Sequence, residues 1–179
     1  GACCIISVFT YPELGLKSIA QACGTVDFPY IPGLLTFREG PLIEEAFGRL
    51  EIRPEVLLFD GHGISHPRGM GVATHMGILL DCAAVGCAKT PLTGAFDPPG
   101  EHKGSMSPVR LRGETVGCVL RTRDRVRPVF VSQGHRVGLE SAVWICLCCV
   151  RGYRIPEPLR WAHIIARRTV RAVFESAPA

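Results

Sequence analysis

Asp60 closes an apolar run in "FDGHGISHPR", residues 59–68, and is followed at once by two glycines and two histidines. A carboxylate in such a place is a candidate for metal binding or acid–base work, and glycines beside it let backbone come close to a ligand. A second acid, Glu39 in "TFREG", stands just ahead of a proline-led segment that begins at Pro41. Two carboxylates brought from separate elements can hold a divalent cation, which polarises a phosphodiester and lowers the pKa of its attacking water. Oxygen donors favour Mg²⁺, with Mn²⁺ as the alternative, over zinc. The chemistry these residues suggest is metal-dependent phosphoryl transfer.

The elements that must position them can be read from periodicity. "EVLLFD", from Glu55, has the length and content of a strand buried on both faces, which sets Asp60 at its carboxyl end. In open α/β sheets that edge is where ligands bind. "PLIEEAFGRL" reads as a helix opening at Pro41, with Leu42, Ile43, Ala46, Phe47 and Leu50 along one face. Ahead of it, "ACCIISVFTY" and "LKSIAQACGTV" flank the turn "PELG", an antiparallel hairpin over residues 2–26. After Asp60, "GMGVATHMGILL" suits a helix packed closely on a sheet, and "AAVGCAK" a short apolar strand. Strand, helix, strand is a right-handed parallel crossover.

Residues 90–113 read as an irregular insertion with little periodicity. "TVGCVLRT" and "VRPVFVS" form a further strand pair joined at "RDR". "LESAVWICLCCV" is a buried helix, "YRIPEP" is extended by its prolines, and a last helix runs from about Pro158 toward Phe174. The fold class is α/β, a mixed sheet flanked by helices.

At 179 residues and 47% hydrophobic, the chain has enough apolar matter for one domain with a proper core and is too short for two. No apolar stretch reaches the ~18 residues of a membrane span, and no leader is legible. A soluble, monomeric, intracellular protein is expected, cytoplasmic or, in a eukaryote, nuclear or nucleolar. The nine cysteines read as free thiols acting as small core residues in a reducing compartment, Cys3, Cys4, Cys146, Cys148 and Cys149 among them. The net charge of +4 is modest, but arginines crowd the second half: Arg110, Arg112, Arg121, Arg123, Arg125 and Arg127, then Arg151, Arg154, Arg160, Arg167, Arg168 and Arg171. That pattern suits a polyanionic partner.

Five blocks, "PYIPGLLTFREGP", "DGHGISHPRGMGVATHMGILLD", "VGCAKT", "SQGHRV" and "YRIPEPLRWAH", resemble in order and spacing the endonuclease V family, metal-dependent nucleases acting at deaminated purines. The resemblance runs across essentially the whole chain, as a single domain over residues 1–179. It implies an RNase H-like fold and cleavage of a strand containing inosine or deoxyinosine, in DNA or RNA, on the 3′ side of the lesion. Nucleic-acid repair or processing of inosine-containing RNA would be the setting.

The resemblance also implies roles. Asp60 would be a direct metal ligand, Glu39 would hold the metal or its water, and His163 would bind the ion or position water. Lys89 would touch the scissile phosphate as a point cation. Tyr30, stiffened by Pro29 and Pro32, resembles the family's wedge, and the flipped base would rest against Gly33, Leu35, Gly61 and Val72. His66 would support that pocket or the nearby strand, while His62, His75 and His135 read as structural.

One departure stands out. Family members carry a strand ending in a motif like "VAGVD", whose aspartate joins the metal. No such motif occurs in residues 1–179, whose opening "GACCIISV" matches the family's next strand. The expectation is a sheet without its first strand, and the alternative function is a catalytically silent binder of inosine-containing nucleic acid, or a fragment of the enzyme.

Overall fold

The computed structural model describes residues 1–29 and 31–175, the last without its side chain. Its contacts divide the chain into two compact units, one of residues 1–53 with the segment from Pro158 onward, the other Pro54–Glu157.

In the first unit, β1 (Ala2–Phe9) and β2 (Leu16–Gly24) pair antiparallel as a two-stranded sheet, the hairpin expected from the sequence. Cys3 lies opposite Cys23 in that register. The two are joined in a disulfide, which corrects the expectation that every cysteine is a free thiol. Residues at directly opposed positions of an antiparallel pair are close enough for their side chains to meet. Helix α1 (Leu35–Gly48) packs on both strands and buries Thr36, Gly40, Ile43, Ala46 and Phe47, spaced as one helical face.

The expected start of that helix at Pro41 is wrong. Pro41 lies inside α1, where it withholds an N–H from the carbonyl four residues back. The helix instead begins after a turn in which the Leu34 N–H donates to the Ile31 carbonyl at 2.9 Å. Pro32 fills the position where a fixed φ helps, and Gly33, at φ 81°, the one where a positive φ is required. Helix α4 (Glu157–Val170), followed by one π-helical turn at Arg171–Glu175, runs much as expected. The Ser7 hydroxyl on β1 donates to the Pro158 carbonyl at 2.9 Å.

The second unit is a five-stranded mixed sheet in the order β3-β4-β7-β6-β5. Its strands are β3 (Val56–Phe59), β4 (Ala83–Ala88), β5 (Met106–Leu111), β6 (Glu114–Leu120) and β7 (Val129–His135), with α2 (Val72–Leu79) and α3 (Leu139–Cys148) as its helices. β3 and β4 are parallel, Phe59 opposite Gly86, with α2 between them in sequence; the other pairs are antiparallel. The helices cover opposite faces. A side chain on Gly77 of α2 would meet the Ala84 Cβ, whereas Cys87, an odd number of residues along β4, hydrogen-bonds Cys146 of α3.

Three further expectations are corrected. β3 is not buried on both faces: it is the sheet's edge, and of its residues only Leu57 is buried. Residues 90–113 are not wholly irregular, because β5 lies within them, burying Ser107 and Val109 in alternation. Pro108 is tolerated there because β5 is the opposite edge of the sheet, where a missing N–H breaks no ladder. Finally, α3 is buried on one face only: Ala142, Val143 and Cys146 are inside, while Trp144 remains 55% exposed.

Candidate active site

β3 and β4 run side by side in the same direction, so both carboxyl ends open at one edge of the sheet. Asp60 follows the last residue of β3, and Lys89 follows the last residue of β4. The Lys89 ammonium donates to Asp60 Oδ2 as an ion pair with both side chains partly exposed, 39% for the lysine and 43% for the aspartate. A pair this open to water is worth less than about 1 kcal/mol. An incoming anion or cation can therefore take either partner at little cost.

Behind the pair the chain is packed to backbone distance. A side chain on Gly63 would lie 2.0 Å from the Gln133 carbonyl oxygen, and one on Gly61 would lie 2.5 Å from Val72 Cγ1. The two glycines of "DGHG" thus seat the loop on β7 and on the first residue of α2. The Gly63 N–H donates to Ser132 Oγ at 2.8 Å. His66 is buried and takes the Arg68 N–H on Nδ1 at 3.1 Å. His62 Nε2 bonds the Thr90 carbonyl at 3.0 Å. Burial holds the His62 imidazole below the usual histidine range, the Thr90 contact opposing it.

Sequence reasoning counted Arg154 only among the arginines that suit a polyanionic partner. Its Nη2 donates to the carbonyls of Lys89 at 2.9 Å and Pro128 at 2.8 Å. Burial lowers the pKa of its guanidinium, while Cys87 and then Asp60 favour the charged form. Its place in "YRIPEPLRWAH" is a further signal in the sequence, but nothing local ties it to a lysine 65 residues away.

The remaining expected residues belong to the first unit. Glu39 is exposed on α1 and His163 is exposed on α4. Pro32, Gly33 and Leu35 form the turn and first residue of α1, and Tyr30 lies outside the described residues. On the hairpin beside Glu39, burial, and secondarily the Glu39 charge, push the Cys4 thiol up to about 12. The structure thus brings together Asp60, Lys89, Gly61, Val72 and His66 in one unit and Pro32, Gly33, Leu35, Glu39 and His163 in the other. Among the described residues no group of three or more His, Cys, Asp or Glu side chains is gathered so that it could hold a metal ion.

A mixed sheet with helices on both faces, carrying an acid and a lysine at the carboxyl ends of adjacent parallel strands, is the frame of an α/β enzyme with its site at the strand ends. Residues 1–164 match the model of a family described as Endonuclease V. The endonuclease V of Dictyoglomus turgidum is 45% identical over 174 residues, 97% of this chain and 76% of that protein. A crystal structure of endonuclease V from Streptomyces avermitilis, 40% identical, superposes with a TM-score of 0.90 over 94% of this chain and 74% of that one. Endonuclease V of Ciona intestinalis, crystallised with a 24mer DNA containing an inosine followed by a ribo-adenosine, shares the fold at 24% identity and a TM-score of 0.81, over 96% of this chain and 81% of that one. The chain belongs to the endonuclease V family, a family of nucleases. No helix among the described residues is long and apolar enough to cross a membrane.

Proposed function

We propose that this chain is a metal-dependent endonuclease that hydrolyses a phosphodiester on the 3′ side of a deaminated purine, inosine or deoxyinosine, in DNA or RNA. Residues 1–179 act in this reading as one endonuclease V-like domain. The observation that carries it is the Asp60–Lys89 ion pair at neighbouring strand ends, inside two of the blocks that resemble the family.

The donors suit a hard divalent cation in kind: Asp60 offers carboxylate oxygens at an open strand end, and Glu39 and His163 are exposed. In this reading Asp60 holds Mg²⁺ or Mn²⁺, Glu39 holds the ion or its water, and His163 binds the ion or positions water. The ion, when bound, polarises the phosphodiester and lowers the pKa of its water. Lys89 exchanges its weak exposed contact with Asp60 for the scissile phosphate and stabilises the charge that develops there. Water adds to phosphorus and the bond to the 3′ oxygen breaks, leaving a 3′-hydroxyl and a 5′-phosphate. Tyr30 enters beside the lesion, and the base lies against Gly33, Leu35, Gly61 and Val72.

The test is a gel assay on inosine-containing and inosine-free strands, as DNA and as RNA, with Mg²⁺, Mn²⁺, Ca²⁺ or chelator. One cut on the 3′ side of inosine, with Mg²⁺ or Mn²⁺ and not with chelator, is the expected result. No cut on any strand overturns the reading. A second reading is a silent binder of inosine-containing nucleic acid. It predicts a retained gel shift with no cleavage in any metal.

A further inference from the structure

Two loops adjoin the strand end that carries Lys89, and they are tied to each other. Residues 121–128 follow β6, and residues 151–154 follow α3. Arg123 Nη1 donates to the Gly152 carbonyl at 2.5 Å, and Thr122 Oγ1 donates to the Arg154 carbonyl at 2.7 Å. The Arg154 guanidinium then bonds the carbonyls of both Pro128 and Lys89. The loops and the lysine end of β4 therefore form one connected surface within a single unit.

The arginines of this surface divide by direction. Arg121 turns inward, donating to the carbonyls of Gly100 at 2.9 Å, Pro99 at 3.0 Å and Val126. Arg123, Arg127 and Arg151 are exposed, and the Tyr153 side chain is 55% exposed beside them. Two acids near these loops have partners: Asp124 Oδ1 accepts the Lys103 N–H at 2.7 Å, and Glu101 faces Arg125 at 3.9 Å. Arg127 lies close enough to Arg154 for its charge to oppose protonation there. Like charges gathered on one surface repel, and a polyanion that releases its counterions offsets that repulsion.

We propose that Arg123, Arg127, Arg151 and Tyr153 form a shelf that holds the sugar–phosphate backbone of the substrate strand next to the bond cut at Asp60 and Lys89. The arginines take phosphates and the Tyr153 ring takes an unpaired base, since every base offers a face to an aromatic ring. The inference rests on the nuclease reading above and adds where the strand runs.

The experiment measures binding of a short single strand containing inosine, with Ca²⁺ in place of Mg²⁺, across a range of salt. The whole chain is compared with R123Q, R127Q and R151Q, with their lysine counterparts, and with R110Q and R112Q at the far β5–β6 turn. Each shelf glutamine variant should lower the slope of log affinity against log salt by about 0.7, the value per single-strand phosphate contact. Lysine should restore the slope, and R110Q and R112Q should leave it alone. Y153L should weaken binding several-fold where Y153F does not. Unchanged slopes in all three shelf variants, with melting like the parent, overturn the shelf, and so does an equal loss in R110Q and R112Q. Cleavage is scored alongside. Cutting at inosine with unchanged slopes removes the shelf and leaves the nuclease reading. Shelf-dependent slopes without any cutting remove the nuclease reading and leave a nucleic-acid surface.

Discussion

Arg154 Nη2 donates to the Lys89 carbonyl oxygen at 2.9 Å, so the backbone of the residue that holds Asp60 is itself held by a half-buried guanidinium. The same nitrogen bonds the Pro128 carbonyl at 2.8 Å. Hydrogen bonds from a charged donor contribute about 1.5–3 kcal/mol each. Arg154→Met should lower the melting temperature and reduce cleavage by more than about tenfold, the factor that 1.4 kcal/mol represents, while substrate KM changes little. Arg154→Lys should recover part of the rate. A rate that falls only as far as the folded fraction falls would make Arg154 a purely structural residue.

Asp60 sits in an exposed ion pair worth less than about 1 kcal/mol, so its loss is inexpensive to the fold. Asp60→Asn should melt within a few degrees of the parent, abolish metal-dependent cleavage, and still bind inosine-containing strands in Ca²⁺. Melting curves and nicking gels on the same preparation decide it. Turnover retained in the variant would take Asp60 out of the metal site.

The Cys3–Cys23 disulfide closes a hairpin with a sequence separation of 20. Cross-links over loops of this size contribute roughly 3 kcal/mol by restricting the unfolded chain. Reducing agent should lower the stability of the parent by about that amount and leave a Cys3→Ser, Cys23→Ser variant unaffected. Thiol titration of the unreduced, denatured chain should find the seven cysteines that are free in the structure, out of nine in the sequence. Nine titratable thiols would rule the bond out.

Buried thiols make the second unit sensitive to alkali. Burial pushes Cys118 up to about 12 and Cys149 up to about 11 from an ordinary 9.0. Cys146 is raised well above its usual value by its hydrogen bond with Cys87 and by burial. A thiol whose folded pKa is raised keeps its proton longer in the native state. Its contribution is therefore complete below about pH 9 and is lost as pH climbs toward 11–12. Denaturant midpoints should be level up to about pH 9 and fall above it, and Cys118→Ala with Cys149→Ala should flatten the fall. An equally steep fall in that double variant would assign the alkaline transition to other groups.

What could be read in the sequence was whatever depends on local pattern. The strand-like runs on either side of "PELG" specify the β1–β2 hairpin, and the continuous apolar run "AAVGCA" specifies β4, buried nearly throughout. Asp60 at a strand end follows from the apolar run before it, and the ordered blocks carry the family. Misreadings came where a local signal has two meanings. Pro41 is a common helix opener, but here the turn at Pro32 and Gly33 starts the helix earlier, and packing of α1 on the hairpin outweighs the lost hydrogen bond. Pro108 made β5 look like loop, because a proline is compatible with a strand only at a sheet edge, and edges are set by strand order.

Strand order, pairing and side-chain reach are properties of the folded chain alone. Apolar content made β3 look doubly buried, yet its place at the sheet edge decides how much of it is covered. Composition made all cysteines look reduced, yet the hairpin register sets Cys3 against Cys23. The sequence by itself determined the residue types of the site and the elements that carry Asp60 and Lys89. Only the tertiary structure decided that those two side chains meet and that Arg154 braces the Lys89 backbone. Hydrogen bonds across 29 and 65 residues form because strand pairing and loop packing bring the groups within reach, and no local periodicity encodes that proximity.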